Sequence, residues 1–499
     1  MKKYYMNKDL LELGMLIDKA KFLNDISKIK EYLDVLKDYA VSDLRNNEKI
    51  YFHYIYAIAL CHLRQHMTSP NEKLYDHPLI DQELYHLRIA ENICLQVGEH
   101  GIEEDVNMNS IKSHIYTHLG NLYNHTGRFV EAMRSWQLAL RFTPKFAMAE
   151  FNIGLSLMNT IYYYEAIHYE NIKYLVCFYM DKYKNNRLFQ RNYLTIQEFY
   201  TGIFRDVAVK PLPTPLNLTD SEEDLYRFWC VSNCLYLNPY NDIDSQSALS
   251  LTDNLYYQEL ALLKEEFFKH KVLIHIFNQI KQEYVSARYM LYCYFKQSGL
   301  RHFSDNDVFL ADLKDHSEIS YNTELAKSSF RSLYSILDKI AYFLNVYLDL
   351  NICESAIDFR KIWFSDNKGK HLNLKIKEEH NFPLMALYYI HKDLFCHKDG
   401  FVTSPEARLM HKIRNYMEHK CFVLVDGGND YFEEKDSTLY LSRFLFESKA
   451  YHLIAIIRAA IIYLKNVVTV REYNRKNKIE KIGNLIPTYI ENINPKNRV

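Results

Sequence analysis

Apolar residues recur at three- and four-residue intervals along most of the chain. From residue 8 to about residue 190 this period predicts successive amphipathic helices of roughly 12 to 18 residues joined by short polar turns. Longer helices follow, notably over 322–350, 383–396, 405–421 and 438–472. Between the two blocks stands Lys210-Pro-Leu-Pro-Thr-Pro215, whose alternating prolines favour extended chain and place a domain boundary near 210–220. Ser221 with Glu222, Glu223 and Asp224 then has the form of an N-cap and acidic first turn, leading into LYRFWCVSNCLYLNPYND. With only 13 Gly and 11 Pro in 499 residues, tight turns are few, and the chain reads as all-α. The expected organisation is a helical repeat domain over 1–210, a helical bundle over 216–480 and a tail over 481–499.

Within the first block a repeat emerges. Tyr116, Leu119, Gly120, Tyr123, Ala132, Trp136, Ala139 and Pro144 fall at the spacings of one tetratricopeptide repeat, a helix-turn-helix unit of about 34 residues. Small Gly120 and Ala132 let two helices approach, large Tyr123 and Trp136 fill the space between them, and Pro144 stops the second helix. One period later Ile153, Gly154, Leu157 and Ala166 take the corresponding places, a second and looser repeat. The segment YFHYIYAIALCHLRQ (51–65) has the same aromatic and alanine usage and is assigned to a degenerate repeat. A single repeat cannot bury its own face, so an α-solenoid of several is expected, with a concave surface able to dock a protein or peptide trigger.

Charge and cysteine usage narrow the partners. Lys plus Arg (61) balances Asp plus Glu (62), so no global basic field holds nucleic acid and any RNA binding must be local. Nine Cys without a C-x-x-C pair, behind an N-terminus with no apolar leader, fit reduced thiols in a cytoplasm. The apolar stretch from Tyr451 to Val468 is interrupted by Arg458 and Lys465, which favours a buried core helix over a membrane span. His391 with Cys396 and His397 has ligand chemistry but no second ligand pair at usable spacing, so no metal and no cofactor are expected.

The candidate chemistry lies in HKIRNYMEHK. An Arg followed five positions later by a His is expected about once by chance in such a chain, and requiring Asn directly after the Arg lowers that to roughly 0.07. Ser404, Pro405 and Glu406 form a helix start, which puts the run on regular helix. There Arg414 and His419 diverge by about 140°, while Asn415 and His419 share a face. Two copies across a two-fold axis would bring both Arg and both His into one cleft. An imidazole with an ordinary pKa of about 6.5 moves a proton, Arg stabilises charge on a phosphorane, and the 2′-hydroxyl of RNA is the nucleophile; DNA lacks it. The plainer alternative makes Arg414 and Glu418 a surface ion pair and Asn415 with His419 a polar face.

The run RNYMEH, its helix opened by SPEARLMHKI and followed by SRFLFESKAYHLIAIIRAAIIYL, resembles the HEPN superfamily of helical-bundle ribonucleases. The likeness extends to SFRSLYSILDKIAYFLNVYL (329–348), similar to the first bundle helix, and to the WC and LNPYND elements of 229–242, covering roughly 220–475. It is similar to the branch joined to tetratricopeptide repeats. The resemblance implies a metal-independent endoribonuclease acting on RNA such as tRNA or mRNA as a homodimer, often a toxin of antiviral defence, with Arg414, Asn415 and His419 catalytic. Some members only bind, which leaves a non-catalytic adaptor as the alternative. Asp338 is a candidate to orient Arg414 through a charge-assisted bond, and Arg443 and Arg458 are candidates to line a phosphate path or simply to pair with acids.

Overall fold

The computed structural model describes residues 7–67, 75, 77–98, 106–183, 211, 214–257, 259–262, 267–297, 301–311, 314–366, 369, 371–395, 407–426, 428, 431–479 and 486–489. These fall into two compact units, one drawn from residues 1–161 and 169–211, the other from 162–168, 212–395 and 406–499. Lys210, Leu212 and Pro213 of the proline-rich stretch, the helix start at Ser404, Pro405 and Glu406, and the Cys396-His397 pair lie outside the described residues.

The first unit is a series of helices: α1 (Lys8–Phe22), α2 (Ile26–Lys37), α3 (Asn46–Met67), α4 (Pro78–Gly98), α5 (Val106–His125), α6 (Phe129–Phe142), α7 (Ala147–Thr160) and α8 (Tyr169–Tyr183). Caps begin them where the sequence supplies an acceptor: Asn7 Oδ1 takes Asp9 N–H at 3.0 Å and Asp25 Oδ1 takes Lys28 N–H at 3.1 Å. Leu10, Ile17, Ile29, Leu33, Phe52 and Ile55 form the core under α1 to α3.

The pair α5 and α6 packs as the repeat spacing requires. Leu119, Ala132, Trp136 and Ala139 are buried, and Trp136 donates from Nε1 to Asn121 Oδ1 at 3.0 Å. A Cβ on Gly120 would stand 2.4 Å from Trp136 Nε1, so the close approach needs glycine. Gly120→Ala is therefore expected to destabilise the protein by about 1–2 kcal/mol, although alanine is the better helix former by about 1 kcal/mol; a denaturation midpoint that rises instead would refute the steric reading. The second repeat departs from its spacing. Ile153, Gly154 and Leu157 are buried on α7, but Ala166 is exposed on a single 3₁₀ turn and α8 begins only at Tyr169. Ala166 thus has no packing role, and the pairing of α7 with α8 is carried by Gly154 against Tyr179 and Met180. The helical array is consistent with repeats.

A buried imidazole pair sits between α3 and α4. His53 Nδ1 and His86 Nδ1 are 2.8 Å apart, so one donates and the other accepts, and Tyr56 stacks on His86 at 3.9 Å. Burial lowers the His53 pKa to about 4 and, with the neighbouring His53, that of His86 to about 3. Both are neutral bases whose folded pKa lies below the unfolded value near 6.5, so their contribution is complete above pH 6.5 and drains away as pH falls toward 4 and then 3. Between pH 7 and pH 5 the pair is expected to remove about 4 kcal/mol of stability. In His86→Asn, which takes up no proton there, the loss should be smaller by about 2 kcal/mol, the remainder coming from His53 and from other imidazoles whose pKa burial lowers, such as His118 and His391; an identical loss would exclude the pair as a source.

In the second unit Ser221 caps α9 (Glu222–Ser232), accepting from Asp224 N–H at 3.2 Å, as its sequence predicts. After an irregular stretch come α10 (Phe267–Lys296), α11 (Tyr321–Tyr347), α12 (Leu374–Glu378), α13 (Phe382–Phe395), α14 (Ala407–His419) and α15 (Arg443–Ile479). Helices α10, α11, α13 and α15 pack as a bundle; Phe330, Leu337, Leu344, Leu387, Leu453, Ile457, Ile461 and Leu464 are among its buried side chains. Ser320 and Thr323 form a capping box that fixes the start of α11. Part of α15, Arg443–Arg475, is long and apolar enough to cross a membrane, and 83% of its most apolar window is buried inside the protein, as in a core helix.

The all-α plan carries two small sheets. The strands β1 (Glu259–Leu262), β2 (Ser317–Glu318), β3 (Cys421–Val425), β4 (Phe432–Lys435), β5 (Thr438–Ser442) and β6 (Ile486–Tyr489) form a two-stranded sheet β1-β6 and a four-stranded sheet β2-β3-β5-β4. Two helix boundaries move accordingly. The helix expected over 405–421 ends at His419, and Cys421 already belongs to β3. Residues 438–442 are strand rather than the start of the last helix: Leu439 and Leu441 point inward at a period of two, and Ser442 Oγ accepts Leu445 N–H at 3.3 Å where α15 begins. Asp436 and Ser437, at φ 48 and 61, make the tight turn from β4 to β5. Residues 486–489 of the expected tail pair with β1.

Candidate functional site

Helix α14 shows two different faces. On one, Lys412 and Tyr416, a turn apart, both bind the carboxylate of Glu434 on β4. Lys412 is therefore neutralised and adds no free positive charge to the run. The other face points at α11. Arg414 Nη1 donates to Asn415 Oδ1 at 3.2 Å, Asn415 Nδ2 lies 3.0 Å from His411 Nε2, and His411 Nδ1 lies 3.3 Å from Tyr334 Oη. The Arg414 guanidinium stands 5.9 Å from the centre of the buried Tyr334 ring, and Phe395 of α13 sets its ring 6.0 Å from that of His411. Burial raises the Tyr334 phenol pKa, with Arg414 opposing, so the hydroxyl stays protonated.

Arg414 and Asn415 are half-buried, whereas Glu418 and His419 are exposed in the last turn. Among the described residues Arg414 makes no ion pair: Glu418 does not bind it, and Asn415 pairs with His411 rather than with His419. Of the plainer alternative, the ion pair is absent among the described residues, while a polar face of Asn415 and His419 stands. Asp338 accepts Phe359 N–H at 3.2 Å and has no direct bond to Arg414, contrary to the orienting bond expected of it. Lost hydration raises the Asp338 pKa, which Phe359 N–H and the Arg414 field partly offset, so the two communicate through space.

The two arginines of α15 have different fates. Arg443 is half-buried, donates to Tyr294 Oη at 3.3 Å and lies 3.6 Å from both Glu318 and Glu447. Arg458 is buried and bound to Asp242 at 2.9 and 2.7 Å, and to the carbonyls of Tyr236 and Asn238 at 2.6 and 2.9 Å. It fastens the LNPYND element to the bundle and lines no phosphate path. His391 is enclosed by Phe359, Trp363, Phe364, Tyr388 and Phe395, and burial lowers its pKa to about 3. Among the described residues no group of three or more His, Cys, Asp or Glu could hold a metal ion.

Sequence reading missed His411 and Tyr334. His411 had a signal, since it precedes Arg414 by three and Asn415 by four residues and so shares their face. Tyr334, on another helix, had none.

Residues 265–471 match the family model described as LA2681-like HEPN. This segment, which holds α10 to α14, the larger part of α15 and the whole polar face of α14, is a HEPN domain, a class in which ribonuclease activity is common. No curated protein and no solved structure matches the chain.

Proposed function

We propose that the HEPN domain is a metal-independent endoribonuclease. The observation that carries this reading is Arg414, a half-buried cation with no ion pair among the described residues, held beside Asn415 on the helix that ends in exposed His419. Such a guanidinium is available to an incoming phosphate, whereas one bound to a carboxylate would first have to break that pair. In the proposed reaction His419 accepts the 2′-hydroxyl proton or protonates the leaving 5′-oxygen, and Arg414 stabilises the phosphorane. The 2′-oxygen forms a bond to phosphorus as the bond to the 5′-oxygen breaks, leaving 2′,3′-cyclic phosphate and 5′-hydroxyl ends. Arg414 and His419 diverge on one helix, so the reading includes a homodimer whose two α14 helices share a cleft. Binding of a protein or peptide trigger by the helical array, and a role as a toxin in defence, extend it.

The test is incubation of the purified protein with total RNA and with tRNA in EDTA, followed by end-group analysis. Cleavage to 2′,3′-cyclic phosphate ends, lost in the Arg414→Ala/His419→Ala double variant, is expected. Cleavage that persists in the double variant removes these residues from the chemistry, and intact RNA in every lane favours a non-catalytic adaptor.

A further inference from the structure

One arrangement of protons satisfies every hydrogen bond of the polar chain from Arg414 to Tyr334. Arg can only donate, so Asn415 must turn its carbonyl oxygen toward Arg414, which leaves its NH₂ facing His411 Nε2 at 3.0 Å. An NH₂ facing a ring nitrogen requires that nitrogen to accept, and the ring proton then sits on Nδ1, aimed at Tyr334 Oη 3.3 Å away. A ring protonated at Nε2 would oppose two donors and turn the Asn415 amide away from Arg414. We propose that His411 is a positioning residue: as the neutral Nδ1–H imidazole anchored on Tyr334, it holds Asn415 so that its carbonyl oxygen orients the Arg414 guanidinium. This rests on the ribonuclease reading for its catalytic consequence but not for its geometry.

The anchor is well supported. Tyr334 belongs to α11, one of the bundle helices, and is 7% exposed, so its hydroxyl is fixed by the core. Phe395 of α13 stands edge-on to the imidazole and limits the ring's rotation. Position thus passes from core to Tyr334, to His411, to Asn415, to Arg414, and only the last of these need touch RNA. Preorganisation of this kind acts on the chemical step more than on substrate capture, because phosphate attraction survives small errors of aim and the transition state does not.

Two variants and one spectrum decide the matter. His411→Leu keeps the volume and loses the hydrogen bonds to Asn415 and Tyr334; it is expected to lower kcat about tenfold while KM stays within about twofold. His411→Gln restores an acceptor toward Asn415 and a donor toward Tyr334, and should return kcat to within about threefold of wild type. Wild-type kcat in His411→Leu, or a glutamine variant as impaired as the leucine variant, overturns the proposal. A readout independent of activity uses the full chain labelled with ¹⁵N-histidine at pH 8. Two-bond nitrogen–proton correlations should show the His411 ring, assigned by its loss in His411→Gln, with a protonated Nδ1 and a bare Nε2. A protonated Nε2 would sink the positioning role even in a protein that cleaves RNA. Conversely, a wild type that leaves RNA intact refutes the ribonuclease reading, and the spectrum then decides the positioning geometry alone.

Discussion

Arg414→Ala is expected to lower the rate of RNA cleavage by about 10²–10³-fold, the usual cost of removing one preorganised donor to a charge-developing oxygen. The loss should come without unfolding, because the acceptor it leaves, Asn415 Oδ1, belongs to a half-buried side chain that water can reach. Asp338 keeps its bond from Phe359 N–H, Tyr334 keeps its place in the core, and Asn415 keeps His411. A stability change under about 1 kcal/mol is therefore expected in denaturation of the same preparation. Arg414→Lys separates charge from shape: a point charge without the planar fork should recover only part of the rate, leaving it about tenfold below wild type. His419→Ala, at an exposed position, should match the alanine variant in rate with no measurable change in melting temperature. Cleavage by Arg414→Ala at the wild-type rate would assign the phosphate to another group.

The parts of this molecule that could be read from its sequence are those where one physical signal acts locally. The cap at Ser221 follows from side chains within one helical turn, and the packing positions Gly120, Ala132 and Trp136 follow from a repeat spacing across two helices joined by a short turn. So does the placement of Arg414, Asn415 and His419 on one helix. What escaped was settled by contacts distant in sequence. Thr438 to Ser442 was joined to the following helix because an apolar period of two next to a strong apolar helix reads as its extension; the parallel pairing with Cys421 to Val425 decides otherwise. Ala166 satisfied the repeat spacing, but the chain between α7 and α8 turns twice as 3₁₀ first. Asp338 was matched to Arg414 by charge alone, whereas a closer backbone donor, Phe359 N–H, had the first claim on it. The face of α14 is the mixed case: its helix was legible, its partner Tyr334 was not.

The largest stability effect is expected at Arg458. Its guanidinium is 3% exposed, forms a two-pronged pair with Asp242, which is also 3% exposed, and donates to two carbonyls of the irregular segment before and within the LNPYND run. A buried pair of this kind adds little net stability over an apolar isostere, since both ions lost their water on folding. Breaking it is a different matter. Arg458→Met takes the guanidinium away from the buried Asp242 carboxylate and from the Tyr236 and Asn238 carbonyls, and should cost about 3–5 kcal/mol. Arg458→Met/Asp242→Leu removes the stranded charge and should recover more than half of that loss, a non-additivity that distinguishes a paired charge from two independent packing sites. Urea denaturation of the three proteins measures all of this. If Arg458→Met loses less than about 1 kcal/mol, water reaches Asp242 and the clamp is not a buried one. The second clamp, Arg288 on α10 with Asp253 at 2.8 Å, grips the same segment farther along the chain. The Arg458 variant should therefore loosen 236–242 first, seen as early hydrogen exchange there, while the α10–α11 pair stays protected.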